Sequence, residues 1–277
     1  MIADLLKAAL LGAVQGLTEF LPVSSTGHLI LAQELLGVDD DRYGLAFDAA
    51  LHLGTLAALL LYFGNAWVRL IRAGAAALRR RSLADDDARI AWLIAVATIP
   101  AGVLGLLLEG VIEDAFRSPA LVAVMLIAFS GAFVLAERVG RRTRDMRAIR
   151  LLDAIVIGAA QAVALVPGVS RSGATICAGL FRDLRRTDAA TFAFLLSAPI
   201  VAAAGLRGTA GVVEDLLRGR LSGEDAAFFL TGMISAAVVG YAAIAFLLRF
   251  LAANSLIPFA VYRIALGIAV LIWIAAS

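Results

Sequence analysis

Two short segments gather side chains that can bind and activate a phosphate group. Residues 15–28 read QGLTEFLPVSSTGH and carry a carboxylate, hydroxyls and an imidazole, whereas residues 167–175 read PGVSRSGAT and carry an arginine among hydroxyls and glycines. An arginine fork, hydroxyl groups and free amides at the start of a short helix form a good phosphate cradle. The chain lacks a Walker lysine motif, so the pattern favours a phosphate ligand other than a nucleotide.

The rest of the chain has the composition of an integral membrane protein. Of its 277 residues, 62% are hydrophobic, above the share in soluble domains. A helix needs about 20 residues to cross the hydrocarbon core, and the alternation typical of an outer-membrane barrel is absent. We therefore predict an all-α polytopic membrane protein. Its six full transmembrane spans are expected at residues 49–68, 90–108, 119–136, 189–206, 226–248 and about 256–276.

The distribution of arginine predicts how these spans are oriented. Residues 64–89 and 137–150 carry six arginines each, which indicates two cytoplasmic loops. The acidic connections at 37–44 and 109–118 are then expected outside. The segment from about 152 to 181 begins after one arginine cluster and ends before another, so it enters and leaves on the same side. It is predicted to be a re-entrant helical hairpin.

A weak internal repeat links the two polar segments. A shift of 146 residues aligns positions 12–32 with 158–178 at 8 identities in 21 positions, and the spacing QxxxxxxxVSxxG occurs in both. If the first copy is also re-entrant, it enters from the opposite side. The chain is then a single membrane domain, 1–277, containing an inverted-topology repeat of approximately 1–136 and 150–277. The broken helices of such repeats usually meet near the midplane around a binding site, and the breaks are expected at Pro22 and at Pro167, Gly168 and Gly173.

The repeat predicts which polar groups converge. The first copy supplies Gln15, Glu19, Ser24, Ser25, Thr26 and His28, and the second supplies Ser170, Arg171, Ser172 and Thr175 with backbone amides near Gly168 and Gly173. A glutamate or arginine at the bilayer centre costs about 3 kcal/mol or more, which favours a functional role over a purely structural Glu19–Arg171 clamp. Outside the two polar segments, Asp48 and His52 either line the site or lie at the membrane interface. Arg263 is expected to extend to the cytoplasmic interface.

Both segments resemble the signatures of the undecaprenyl-diphosphate phosphatase family of the bacitracin-resistance type. The resemblance implies hydrolysis of undecaprenyl diphosphate to the monophosphate carrier used in peptidoglycan synthesis. It implies that Glu19 and Arg171 are essential and that Ser25 is the nucleophile or a headgroup ligand, with His28 beside it. The remaining hydroxyls would complete the phosphate shell: Ser24, Thr26, Ser170, Ser172 and Thr175. Many members have glutamate where this chain has Gln15, so Glu19 is the single acidic candidate in this motif.

The resemblance also implies a divalent cation, Mg²⁺ or alternatively Ca²⁺, with Glu19 as the protein ligand and the diphosphate supplying most oxygens. Two chemical routes stay open: attack by Ser25, activated by Glu19 or His28, and direct attack by a metal-bound water. The alternative function is a lipid-phosphate transporter or flippase with the same cavity. The expected location is the bacterial inner membrane and the expected partners are membrane lipids, with no nucleic acid. Small-residue faces would serve packing within one chain or in a homodimer.

Overall fold

The computed structural model describes residues 2–38, 44–108, 118–219 and 222–276. Its regular elements in these ranges are helices, with one isolated bridge between Arg144 and Leu184, so the predicted all-α class is confirmed. The helices are α1 (Ile2–Phe20), α2 (Ser25–Leu36), α3 (Gly44–Tyr62), α4 (Gly64–Arg80), α5 (Asp86–Leu107), α6 (Pro119–Val139), α7 (Leu151–Val163), α8 (Arg171–Phe181), α9 (Arg186–Leu217), α10 (Gly223–Ala253) and α11 (Ile257–Ala276), with a short 3₁₀ turn at Met146–Ala148. Parts of the two predicted outer connections, residues 39–43 and 109–117, lie outside the described residues.

Within the described ranges, five helices are long and apolar enough to cross a membrane: α5, α6, α9, α10 and α11. They coincide with five of the six predicted spans. The predicted span at 49–68 is wrong at its second end, because α3 stops at Tyr62 and the chain bends by 81° into α4. The arginines of α4 explain this bend. The first of them is Arg69, and these charged residues confine the helix to a polar boundary of the membrane. The pair α3 and α4 therefore contains at most one span.

Two helices are interrupted where the sequence predicts breaks. Residues 21–24 separate α1 from α2, and residues 164–170 separate α7 from α8. Ser24 and Ser170, which are related by the 146-residue shift, both have positive φ, at 77° and 75°. Such values are uncommon for residues with a side chain and are found at functional sites. Gly173 was expected to break the second segment, but it lies within α8, where Ser170 caps the helix.

The packing of the two halves is reciprocal. The helix α1 packs mainly on α10, a helix of the second half. The helix α7, which the 146-residue shift aligns with α1, packs on α5 of the first half. Each contact relies on a glycine at the crossing point. A Cβ added to Gly12 would overlap the carbonyl of Gly232, and one added to Gly158 would overlap the carbonyl of Ala97. Close backbone approach at small residues is the usual way for membrane helices to associate.

Replacing Gly158 by alanine is expected to destabilise the protein by about 1 to 3 kcal/mol, because the methyl group meets backbone that cannot rotate away. The measurement is the thermal unfolding midpoint of the purified protein in detergent. The control is Gly131→Ala in α6, where an added Cβ meets nothing within 4 Å. A Gly158 variant as stable as the Gly131 variant would show that the α5–α7 crossing is looser than described.

Ion pairs gather at the arginine-rich end of the molecule. Glu137 at the end of α6 binds Arg142 and Arg186 and accepts the N–H of Leu256. In the first turn of α7, outside the five spans, Asp153 binds Arg144 and Arg182.

Burial alone would raise the pKa of Asp153, but the hydrogen bonds from Arg144, the Arg150 N–H and Arg182 outweigh it and lower that pKa to about 2. The stabilisation from this carboxylate is therefore complete above the ordinary pKa of 3.8 and is lost as the pH falls towards 2. These pairs hold the ends of α6, α7 and α8 to the connecting segments.

Candidate active site

The two helix breaks touch each other inside the bundle. The N–H of Gly168 donates to Ser24 Oγ at 3.2 Å, and the hydroxyl of Ser172 donates to the carbonyl of Leu21 at 3.2 Å. Both breaks line a small cavity of about 30 Å³, which includes Thr18 and Thr26 from the first half and Pro167 from the second. The convergence predicted from the repeat is therefore present in the structure.

Glu19 is the centre of this cavity and is almost fully buried. Its Oε2 accepts the hydroxyl of Ser25 at 2.6 Å and the side-chain amide of Gln15 at 3.2 Å. Its Oε1 lies 3.2 Å from Nη2 of Arg171. The carboxylate thus has a hydroxyl to deprotonate on one oxygen and a cation that balances its charge on the other.

His52 approaches Glu19 from α3. Its Nε2 lies 3.8 Å from Glu19 Oε2, and its Nδ1 lies 2.8 Å from the carbonyl of Asp48. A carbonyl only accepts, so Nδ1 carries a proton and Nε2 is the nitrogen directed at the carboxylate. Of the two interpretations of His52 left open by the sequence, the structure favours the one in which it lines the site.

Several N–H groups around the cavity are available to an anion. Arg171 Nη1 is buried and has no acceptor among the described residues. Ser25 and Arg171 are the first residues of α2 and α8, and the 146-residue shift places them at the same position of the repeat. Two helix N-termini, with their partial positive charge and free first-turn amides, therefore meet at one point. This arrangement suits a phosphate group.

Other predicted members of the phosphate shell already have partners. The Gly168 amide donates to Ser24 and the Gly173 amide to Ser170 Oγ, which is 3.2 Å from Ser172 Oγ. The hydroxyl of Thr175 donates to carbonyls one turn back in α8. These groups fix the loops in the structure described, and Thr175 is not part of the cavity wall.

The imidazole of His28 is hydrogen-bonded to groups other than Ser25 and Glu19. Its Nδ1 is 2.7 Å from the carbonyl of Ser24, and its Nε2 is 2.7 Å from the hydroxyl of Tyr262, on whose ring it also stacks. Nδ1 must donate to the carbonyl, so Nε2 accepts from the tyrosine. Both nitrogens are therefore occupied, and Ser25 has Glu19 rather than His28 as its partner.

Arg263 joins the two breaks, which the sequence did not predict. The expectation that it extends to the interface is wrong, because its exposure is 0%. Its guanidinium donates to the carbonyl of Gly168 at 2.8 Å and reaches that of Pro22 at 3.4 Å. It also contacts Ser130 Oγ at 3.3 Å and lies over the ring of Phe133. An arginine within an apolar span was the signal available in the sequence, since such residues usually face a polar interior.

The donor set of the site suits a hard cation held largely by its substrate. The described residues contain no group of three His, Cys, Asp or Glu side chains that could hold a metal. One turn from Glu19, however, the buried Oε1 of Gln15 has no hydrogen-bond partner among the described residues. A carboxylate and an amide oxygen are ligands that Mg²⁺ and Ca²⁺ accept, with the other positions left to phosphate oxygens and water.

The fold and the site define an all-helical, multi-pass membrane protein in which two interrupted helices enclose a polar centre. The sequence model of one family, described as Bacitracin resistance protein BacA, matches residues 8–269. The chain therefore belongs to that family.

Curated relatives extend over nearly the whole chain. It is 52% identical to an undecaprenyl-diphosphatase of Rubrobacter xylanophilus, with 95% of this chain and 96% of that protein covered. It is 47% identical to an undecaprenyl-diphosphatase of Trichlorobacter lovleyi, with 97% and 96% covered. A third undecaprenyl-diphosphatase, from Alcanivorax borkumensis, is 41% identical, with 98% and 100% covered.

Proposed function

We propose that this protein is an undecaprenyl-diphosphatase, which hydrolyses undecaprenyl diphosphate to undecaprenyl phosphate and inorganic phosphate. The observation that carries the proposal is the Ser25–Glu19–Arg171 arrangement, in which a hydroxyl, its proton acceptor and an arginine with a free N–H converge at two helix N-termini. Family membership and the names of the relatives agree with it. The reaction recycles the lipid carrier of peptidoglycan synthesis and would confer resistance to bacitracin.

The geometry supports a two-step reaction. Ser25 Oγ attacks the terminal phosphorus while its proton passes to Glu19 Oε2, and the bond to the bridging oxygen breaks, so that undecaprenyl phosphate leaves. Glu19 releases this proton to solvent as undecaprenyl phosphate departs. Water then attacks the phosphoserine, Glu19 accepts a proton from that water and passes it to Ser25 Oγ, and inorganic phosphate departs. Arg171 and the first-turn amides of α2 and α8 stabilise the negative charge on the phosphoryl oxygens. A loose transition state for phosphoryl transfer is stabilised mainly by such electrostatic interactions.

A divalent cation is part of the proposal. Glu19, together with the amide oxygen of Gln15, would hold it beside the diphosphate. When bound, it would neutralise phosphate charge and favour departure of the leaving group. The chain's own residues orient Ser25 and supply the proton acceptor.

Phosphate release from undecaprenyl diphosphate by the purified protein in detergent, with Mg²⁺, tests the activity. Ser25→Ala is expected to lower kcat by about 10³-fold, because the nucleophile is lost, and rapid acid quench of the wild-type reaction is expected to trap phosphoserine at position 25. A Ser25→Ala enzyme with near-normal turnover would contradict the serine route and favour direct attack by water. Absence of phosphate release with several divalent ions would instead favour the transporter.

The location and the repeat are also proposals. Arginine clusters at one end of the spans support a bacterial inner membrane with that end in the cytoplasm. The inverted repeat is supported by the reciprocal packing of α1 on α10 and α7 on α5 and by the matched backbone of Ser24 and Ser170. We propose that the cavity opens to the periplasmic side, where the ion pairs around Glu137 and Asp153 do not close the bundle.

A further inference from the structure

The helix α4 has three different faces. Leu70 and Ala77 are buried, and Gly74 lies against Ala91 of α5, so one face packs on the bundle. A second face carries apolar side chains that remain accessible in the described part of the chain, including Ile71 and Leu78, each 64% exposed and both lining the groove described below. In water these side chains would be costly, but on a membrane protein such a face contacts lipid.

The third face of α4 is basic. Arg69, Arg72, Arg79 and Arg80 project from it, and all four are exposed. Arg69 pairs with Asp87 at 3.2 Å, whereas the other three form no ion pair within the described part of the chain. Because α4 leaves α3 at 81° and separates arginines from exposed apolar residues, it has the form of a helix lying in the membrane interface.

Below this helix lies a groove of about 590 Å³ between α4, α5 and α9. Its walls are apolar and include Trp67 and Ala75 of α4, Trp92 and Ala95 of α5, and Pro199 of α9. Thr98 is the hydroxyl residue in the lining, and it donates to the carbonyl of Ile94. A groove without free polar partners does not hold ordered water, whereas it suits a hydrocarbon chain.

We infer that this groove and the basic face of α4 form a binding site for an anionic phospholipid. The acyl chain lies in the groove, and the phosphate is bound by Arg72 and Arg79. These two arginines are three and four residues from Ala75, which lines the groove, so they flank its rim. Unbalanced arginines at the membrane surface select anionic headgroups over zwitterionic ones. The inference is independent of the proposed phosphatase reaction.

The three tryptophans provide a direct test. Trp92 lines the groove and is 36% exposed, whereas Trp273 lies near the far end of α11, away from the arginine-rich end. Two single-tryptophan variants are prepared, W67F/W273F and W67F/W92F, and placed in nanodiscs with increasing fractions of bromine-labelled phosphatidylglycerol or phosphatidylcholine. For Trp92, we compare the fraction of labelled lipid that quenches half of the fluorescence. This fraction is expected to be at least about fivefold lower for phosphatidylglycerol than for phosphatidylcholine. Trp273 is expected to respond equally to both lipids.

Charge variants in the Trp92 background separate binding from general lipid contact. Arg72→Gln with Arg79→Gln is expected to remove the difference between the two lipids, while the control Arg249→Gln, on α10 near the same end of the molecule, is expected to preserve it. Equal quenching of Trp92 by both lipids would overturn the inference. Protection of Trp92 from both lipids would show that a second copy of the chain covers the groove. Displacement of the quencher by undecaprenyl phosphate but not by unlabelled phosphatidylglycerol would assign the groove to a polyprenyl chain.

Discussion

Glu19→Gln is expected to lower kcat for phosphate release by about 10³-fold, with a smaller change in KM. The substitution keeps the shape of the side chain, but an amide cannot accept the proton of Ser25, whose hydroxyl is 2.6 Å away. It also removes the negative partner of Arg171. The measurement is the initial rate with undecaprenyl diphosphate and Mg²⁺ over a range of substrate concentrations.

The matched control is Glu34→Gln, the same chemical change on an exposed position of α2, and it is expected to leave kcat unaltered. A second variant, Gln15→Glu with Glu19→Gln, returns a carboxylate one turn away but does not place it on Ser25. It is therefore expected to stay inactive. Restored turnover in that double variant would show that a carboxylate anywhere in the cavity is sufficient, which would contradict proton transfer from Ser25 to Glu19.

Arg263→Gln is expected to cost about 3 kcal/mol of stability and to reduce kcat by at least about tenfold at temperatures where the variant stays folded. The guanidinium satisfies the carbonyls of Pro22 and Gly168, and removing it leaves buried acceptors unpaired. Because those carbonyls belong to the two breaks, the change also shifts Glu19 and Ser25 relative to Arg171, and small displacements of this kind are costly in catalysis.

Arg263→Lys separates positioning from charge. The lysine keeps a cation but donates from a single compact head, so it does not bridge two carbonyls and lie flat on Phe133. We expect it to regain part of the thermal midpoint and little of kcat, with Arg249→Lys on α10 as the unaffected control. A lysine variant with wild-type kcat would show that Arg263 contributes charge alone.

The sequence allowed the centre of the site to be predicted because the repeat is visible in it. Position 24 aligns with 170 and position 25 with 171, so the repeat predicts that Ser25 and Arg171 lie together. The bend between α3 and α4 is not predictable from hydropathy, for a physical reason. The apolar run continues through Trp67 and Val68, and hydropathy alone does not show that the chain turns at Phe63.

The contacts of α11 cannot be predicted from the sequence for another reason. The face on which Arg263 and Tyr262 lie depends on how α11 packs against α6 and the breaks, and this packing joins residues more than 90 positions apart. A single intramembrane arginine is compatible with either an interior or an interfacial position until that packing is known. Likewise, His28 is three residues after Ser25, but the start of α2 directs it towards Tyr262.

The reciprocal packing also determines when the protein can mature during its synthesis. The helix α1 leaves the ribosome long before α10, on which it mainly packs. Until α8 and α10 have been inserted, Glu19 lacks its cation Arg171 and α1 lacks its main packing partner, and an unbalanced charge or unsatisfied polar group in lipid is costly. The nascent first segment must therefore wait at the translocon or in water, and a protein truncated before α10 is expected to be a substrate for quality-control proteases.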